Sequence, residues 1–194
     1  MKITLLTAAA GLLLASSALA QVAQPTPPGS ANTTNAPAAR APGATTGAVP
    51  MGAVSTADFV QKAAISDMFE IQSSQLALQK KADADTKPFA QKMMKDHKKT
   101  SSELKAMLKK GKIDAQIPTQ LDAEHQAKLD QLKGMSGPEF DKAYDMAQQE
   151  GHQKAVALFE AYAQGGDNPQ LKQWAAKTLP HLKQHMSMAE KLKF

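Results

Sequence analysis

The chain has 194 residues, 42% of them apolar and 21% charged, a net charge of +5, and no cysteine. Without cysteine there can be no disulfide framework, no thiolate metal ligand and no lipid anchor on an N-terminal Cys. The positive charge is lysine interspersed with acids, and Arg40 is the only arginine; this reads as solvated helix faces and excludes a nucleic-acid reader built on guanidinium forks.

Residues 1–20, MKITLLTAAAGLLLASSALA, carry a basic start at Lys2, an apolar run from Ile3 to Ala15 and a small-x-small ending at Ala18-Leu19-Ala20. This pattern predicts a secretory signal peptide cleaved near Ala20 and a periplasmic or secreted protein. The run is too short to span a bilayer, and no later stretch is long enough, so no transmembrane segment is expected. Weak association with anionic envelope surfaces is the expectation left for the lysines. Residues 21–54 are rich in Pro, Ala, Thr and Gly, with Arg40 their only charge. Such a segment cannot bury enough apolar surface to offset its ordering entropy, which predicts a disordered linker.

A folded domain is expected over 55–194. Ser55-Thr56-Ala57-Asp58 has a hydroxyl N-cap and a first-turn acid, and predicts a helix to about Ala82. Thr86 to Lys110 follows with Pro88 in the first turn and an apolar line through Phe89, Ala90, Met93, Met94, Leu104 and Leu108; Gly111 is expected to end it. A long connection contains a short helix starting at Ile117-Pro118-Thr119 and ending at Gly134. Ser136-Gly137-Pro138-Glu139 reads as a capping box for a third long helix through Phe140, Tyr144, Phe159 and Tyr162. Asp167-Asn168-Pro169 opens the last, through Leu171, Trp174, Leu182 and Leu192. Pro180 interrupts its hydrogen bonding just before His181. Four long helices joined short, long, short predict an all-α fold, an antiparallel ferritin-like four-helix bundle with a partly helical connection between its second and third helices.

Counting outward from the two short turns puts Glu70, His97, His152 and His185 at similar heights, one on each long helix, given about 1.5 Å of rise per residue. His97 interrupts an apolar stripe, where a polar side chain needs a partner or a cavity. Imidazoles with a carboxylate suit Zn, Cu, Fe or Ni. Asp96, Asp141 and Asp145 are candidates to hold the far ring nitrogens, and His181 is an additional candidate ligand. The contrasting reading is a metal-free network in which Glu70 and His97 bond directly. His181, His185, Met186 and Met188, with Met93 and Met94, would offer a softer set for Cu(I). His125 reads as packing. Glu-x-x-His is absent, which disfavours a di-iron centre. No nucleophile elbow, phosphate-binding loop or His-Glu-x-x-His occurs, so the leaning is toward a non-enzymatic protein.

Ala57-Asp58-Phe59-Val60, Asp96-His97, Phe140-Asp141-Lys142-Ala143-Tyr144, Leu158-Phe159 and Leu179-Pro180-His181-Leu182 with His185 together resemble the exported bacterial family called domain of unknown function 4142. The resemblance covers about Ser55 to Lys193. It implies a ferritin-like fold and export, and no activity. The family's recurrent polar positions fall on Glu70, Asp96, His97, Asp141, His152 and His185, while His181 falls on a less constant one. The expected role is that of an exported cell-envelope interaction or stress-related protein, with binding of a single transition-metal ion as the alternative.

Overall fold

The computed structural model describes residues 54–192. The expected signal peptide and all but the last residue of the expected linker lie outside the described residues. The described residues form five helices and no strand: α1 Thr56–Gln79, α2 Thr86–Gly111, α3 Ala123–Gly134, α4 Gly137–Gly165 and α5 Pro169–Ala189. The all-α expectation holds.

The caps explain most of these boundaries, and correct some. Ser55 accepts a hydrogen bond from the Asp58 amide and donates one to its carboxylate, which fixes the start of α1. Before α2 the Asp83 carboxylate accepts from the amides of Asp85 and Thr86 and from the Thr86 hydroxyl. At the other end Gly111 is still helical, and it is Lys112, at φ 49°, that takes the left-handed conformation closing α2. α3 begins six residues later than Ile117 suggests. Asp122 is its cap, accepting from both the amide and the ring of His125. Ser136 makes no side-chain cap bond, so the expected capping box does not form; Gly137, at φ +57°, turns the chain into α4 instead. Asn168 caps α5 by accepting from the amides of Gln170 and Leu171. α5 continues through Pro180 without a break.

Contacts give the relative directions of the long helices. Thr56 and Ser74, early and late on α1, bond Tyr162 and Tyr144, late and early on α4, so these helices run antiparallel. Asp96 and Glu103 of α2 meet His185 and Trp174 of α5 in the same inverted order. Asp67 of α1 meets His97, Thr100 and Ser101 of α2. α3 lies against α1 and α4. Its end is tied to α1 by Lys80, whose ammonium donates to the carbonyls of Lys133 and Met135.

The core is two apolar clusters. One gathers Phe59, Leu104, Phe159, Trp174 and Leu182, with Tyr162 stacked on Phe59 at 3.9 Å between ring centroids. The other gathers Phe69, Phe89, Met93, Phe140 and Tyr144. Burying each of these large side chains contributes about 1.5–3 kcal/mol. Between the clusters every long helix turns polar on its inner face: Asp67 and Glu70 on α1, His97 on α2, Gln148 and His152 on α4, His185 on α5. All six are buried. Desolvated polar groups in mid-core cost stability unless paired.

Candidate metal centre

Three helices each deliver one imidazole to the polar layer. His97, His152 and His185 are 2%, 1% and 3% exposed. Their ring centroids stand 5.7, 5.6 and 5.5 Å apart pairwise. One nitrogen from each lies within 4.8 Å of the others, the spacing of ligand atoms that can share one ion. Ligand bonds of about 2.0–2.1 Å to a common ion put such nitrogens roughly 3–4 Å apart, so small ring movements bring the set to bonding distance.

The far nitrogen of each ring is held. His97 Nδ1 lies 2.7 Å from Asp67 Oδ1. His185 Nε2 lies 2.9 Å from Asp96 Oδ2. His152 Nδ1–H donates to the carbonyl of Gln148 at 2.8 Å, one helical turn back. The near nitrogens, His97 Nε2, His152 Nε2 and His185 Nδ1, are buried with no hydrogen-bond partner. This is how ligating histidines are usually oriented: one nitrogen donating to a carboxylate or carbonyl, the other free for the metal.

Electrostatics follow from burial and from the carboxylates. Burial pushes His152 down to about 3, with the His97 charge adding to the effect. Burial pushes His185 down to about 4, against the opposing pull of Asp96. Both rings are therefore neutral at ordinary pH, as a metal ligand must be. Burial would also lower His97, but its bond to Asp67 and the charges of Asp67 and Glu70 outweigh that and leave it raised. Glu70 is raised to about 7 by burial, against the His97 charge and a hydrogen bond from Gln148. Its Oε2 has no partner. Glu70 stands outside the close group of three histidines, yet its charge acts on His97. Gly151 leaves room for it: a Cβ there would come 3.2 Å from Glu70 Oε1.

The other candidates are elsewhere. Asp96 holds His185 and is itself paired with Lys92 at 2.7 Å. Asp145 and Asp141 lie at the far end of α2, beside Thr86 and Asp83, and hold no histidine. His181 is exposed on the wall of a cavity of about 210 Å³ that also reaches Asp96 and His185. Met93 and Met188 pack in an apolar cluster rather than joining the rings. His125 is bonded to Asp122 and edges Phe69 at 5.5 Å, a packing role. The direct Glu70–His97 bond is not made, because His97 turns Nδ1 to Asp67 and leaves Nε2 open. Sequence reasoning missed Asp67. The available signal was its place on the helix line Ala63, Asp67, Glu70, Ser74, where a buried acid would face the same interior as Glu70.

Fold and site together define an all-helical protein with a buried three-histidine centre. The family model described as Domain of unknown function (DUF4142) matches residues 41–192, and the chain belongs to that family. No curated protein and no solved structure is significantly similar to it.

Proposed function

We propose that the protein is an exported, ferritin-like four-helix bundle that binds one transition-metal ion through His97, His152 and His185, with Glu70 beside the ion. The observation that carries this reading is the convergence of three buried imidazole nitrogens, each without a partner, while the opposite nitrogens are all held. A network that only stabilised itself would close its own bonds. Here Glu70, His97, Gln148, His152 and His185 each keep an unpartnered buried atom, and each such atom costs about 1–3 kcal/mol if left so. An ion removes three of those costs at once. Nitrogen donors suit Zn, Cu, Fe or Ni. The neighbouring carboxylates of Asp67 and Glu70 offset a divalent charge.

Untagged protein is to be analysed for metal after purification and after incubation with each of these ions. The expected result is about one ion per chain and a raised melting temperature, both lost in His185→Ala. Equal melting temperatures with and without all four metals would falsify the proposal.

A further inference from the structure

We propose that the ion at this centre keeps one exchangeable coordination position, on its Glu70 side, which takes water or a small anion delivered through the cavity between α1, α3 and α4. This rests on the metal reading above. The ligands come from α2, α4 and α5, leaving the α1 side of the ion to be filled. α1 offers two acids there. Asp67 is already engaged by His97, Thr100 and Ser101. That leaves Glu70, which stands outside the close histidine group with Oε2 buried and unpartnered. A water on the ion, lying between it and Glu70, would donate to that oxygen and complete both. Three protein ligands plus an open position is the pattern of metal sites that exchange ligands, whereas closed sites use four.

A cavity reaches Glu70 on that side, while the one between α2 and α5 reaches His97 and His185. A cavity of about 250 Å³ has Glu70 and Gly151 in its wall. It is large enough for several waters, each taking about 30 Å³. Phe69, Ala147 and Leu158 give it apolar walls; its charged lining sets Lys62, Lys128 and Lys154 against Asp122 and Glu124, and Lys128 and Lys154 are both paired with Glu124. Lys62, the one of these lysines in no ion pair among the described residues, favours a small anion over a cation in this cavity. Gly151, next to His152 in sequence, is where a side chain would crowd Glu70.

The test uses the full chain loaded with Co(II), whose visible absorption reports coordination, and azide as the probe anion. A saturable spectral change on adding azide is expected, and Glu70→Gln should respond at lower azide, since a negative charge beside the position is gone. Ser66→Trp, which fills the cavity wall, should reach the same final spectrum more slowly. A wild-type spectrum indifferent to azide, with Glu70→Gln alone responding, would mean that Glu70 is itself the fourth ligand and would overturn the inference. An unchanged rate in Ser66→Trp would overturn the route. Failure of Co(II) to bind at all would instead overturn the metal centre, so the two readings fail separately.

Discussion

At the scale of single residues, the centre is organised by which ring nitrogen holds the proton. A carbonyl can only accept, so His152 must carry its proton on Nδ1, opposite Gln148, and present a lone pair at Nε2. Asp67 likewise keeps a proton on His97 Nδ1, so it is the Nε2 proton that an ion would displace. Asp67→Asn keeps the shape but can present an amide N–H where His97 needs an acceptor. We expect metal affinity to fall about 10- to 100-fold, measured by competition with a chromophoric chelator, with helical content unchanged. Glu70 gives the pH-dependent prediction. Its folded value of about 7 lies above the ordinary 4.5, so between those values the folded state binds a proton that the unfolded chain releases. The group is therefore neutral toward stability below about 4.5 and destabilises increasingly as pH rises through 7, by roughly 3 kcal/mol at most. Metal-free Glu70→Gln should match the wild type in urea denaturation near pH 4.5 and exceed it at pH 8. A variant weaker than wild type at pH 8 would contradict a buried ionised carboxylate. From sequence, Glu70 and the three histidines were legible because turn-to-residue counts on rigid helices fix height. Asp67 was not, because deciding between Asp67 and Asp96 as the partner of His97 needs the rotation of α1 against α2, which a count along the chain does not contain.

At the scale of elements, helix starts were legible where one side chain dominates the cap, as with Ser55 and Asn168. They were misread where two signals compete. Pro118 suggested an early start for α3, yet Asp122 satisfies two donors of His125 and sets the boundary instead. Ser136 and Glu139 have capping-box spacing, but Ser136 makes no side-chain cap bond and Gly137 enters the helix at a positive φ that a regular first turn does not use. α5 carries its own defect. Pro180 has no amide to give the carbonyl of Ala176, and its exposed ring brings no compensating burial. Pro180→Ala should raise stability by about 1–3 kcal/mol, seen as a higher melting temperature by circular dichroism. A lower one would mean that the proline is needed to seat His185.

At the scale of the molecule, the two apolar clusters and the polar layer between them follow from the 3.6-residue period carried by all four long helices. That period is why the all-α class could be read directly. The attachment of α3 could not, since its period does not say which helices receive the buried Leu129 and Leu132; two ion pairs, Lys128–Glu150 and Lys154–Glu124, also join it to α4. These pairs are exposed and contribute about 0–1 kcal/mol each. The fold is therefore held by its core and governed by its middle layer.

That layer has a consequence for how long a molecule survives. Its open nitrogens come from α2, α4 and α5, with Glu70 from α1, so the proposed ion would tie three helices together in the middle of the molecule and lie against the fourth. Occupancy favours the folded state by about 2.7 kcal/mol when free metal is a hundredfold above the dissociation constant. An empty molecule opens more often and meets proteases more often. Metal supply would thereby set the abundance of this protein through its turnover, with no change in its synthesis.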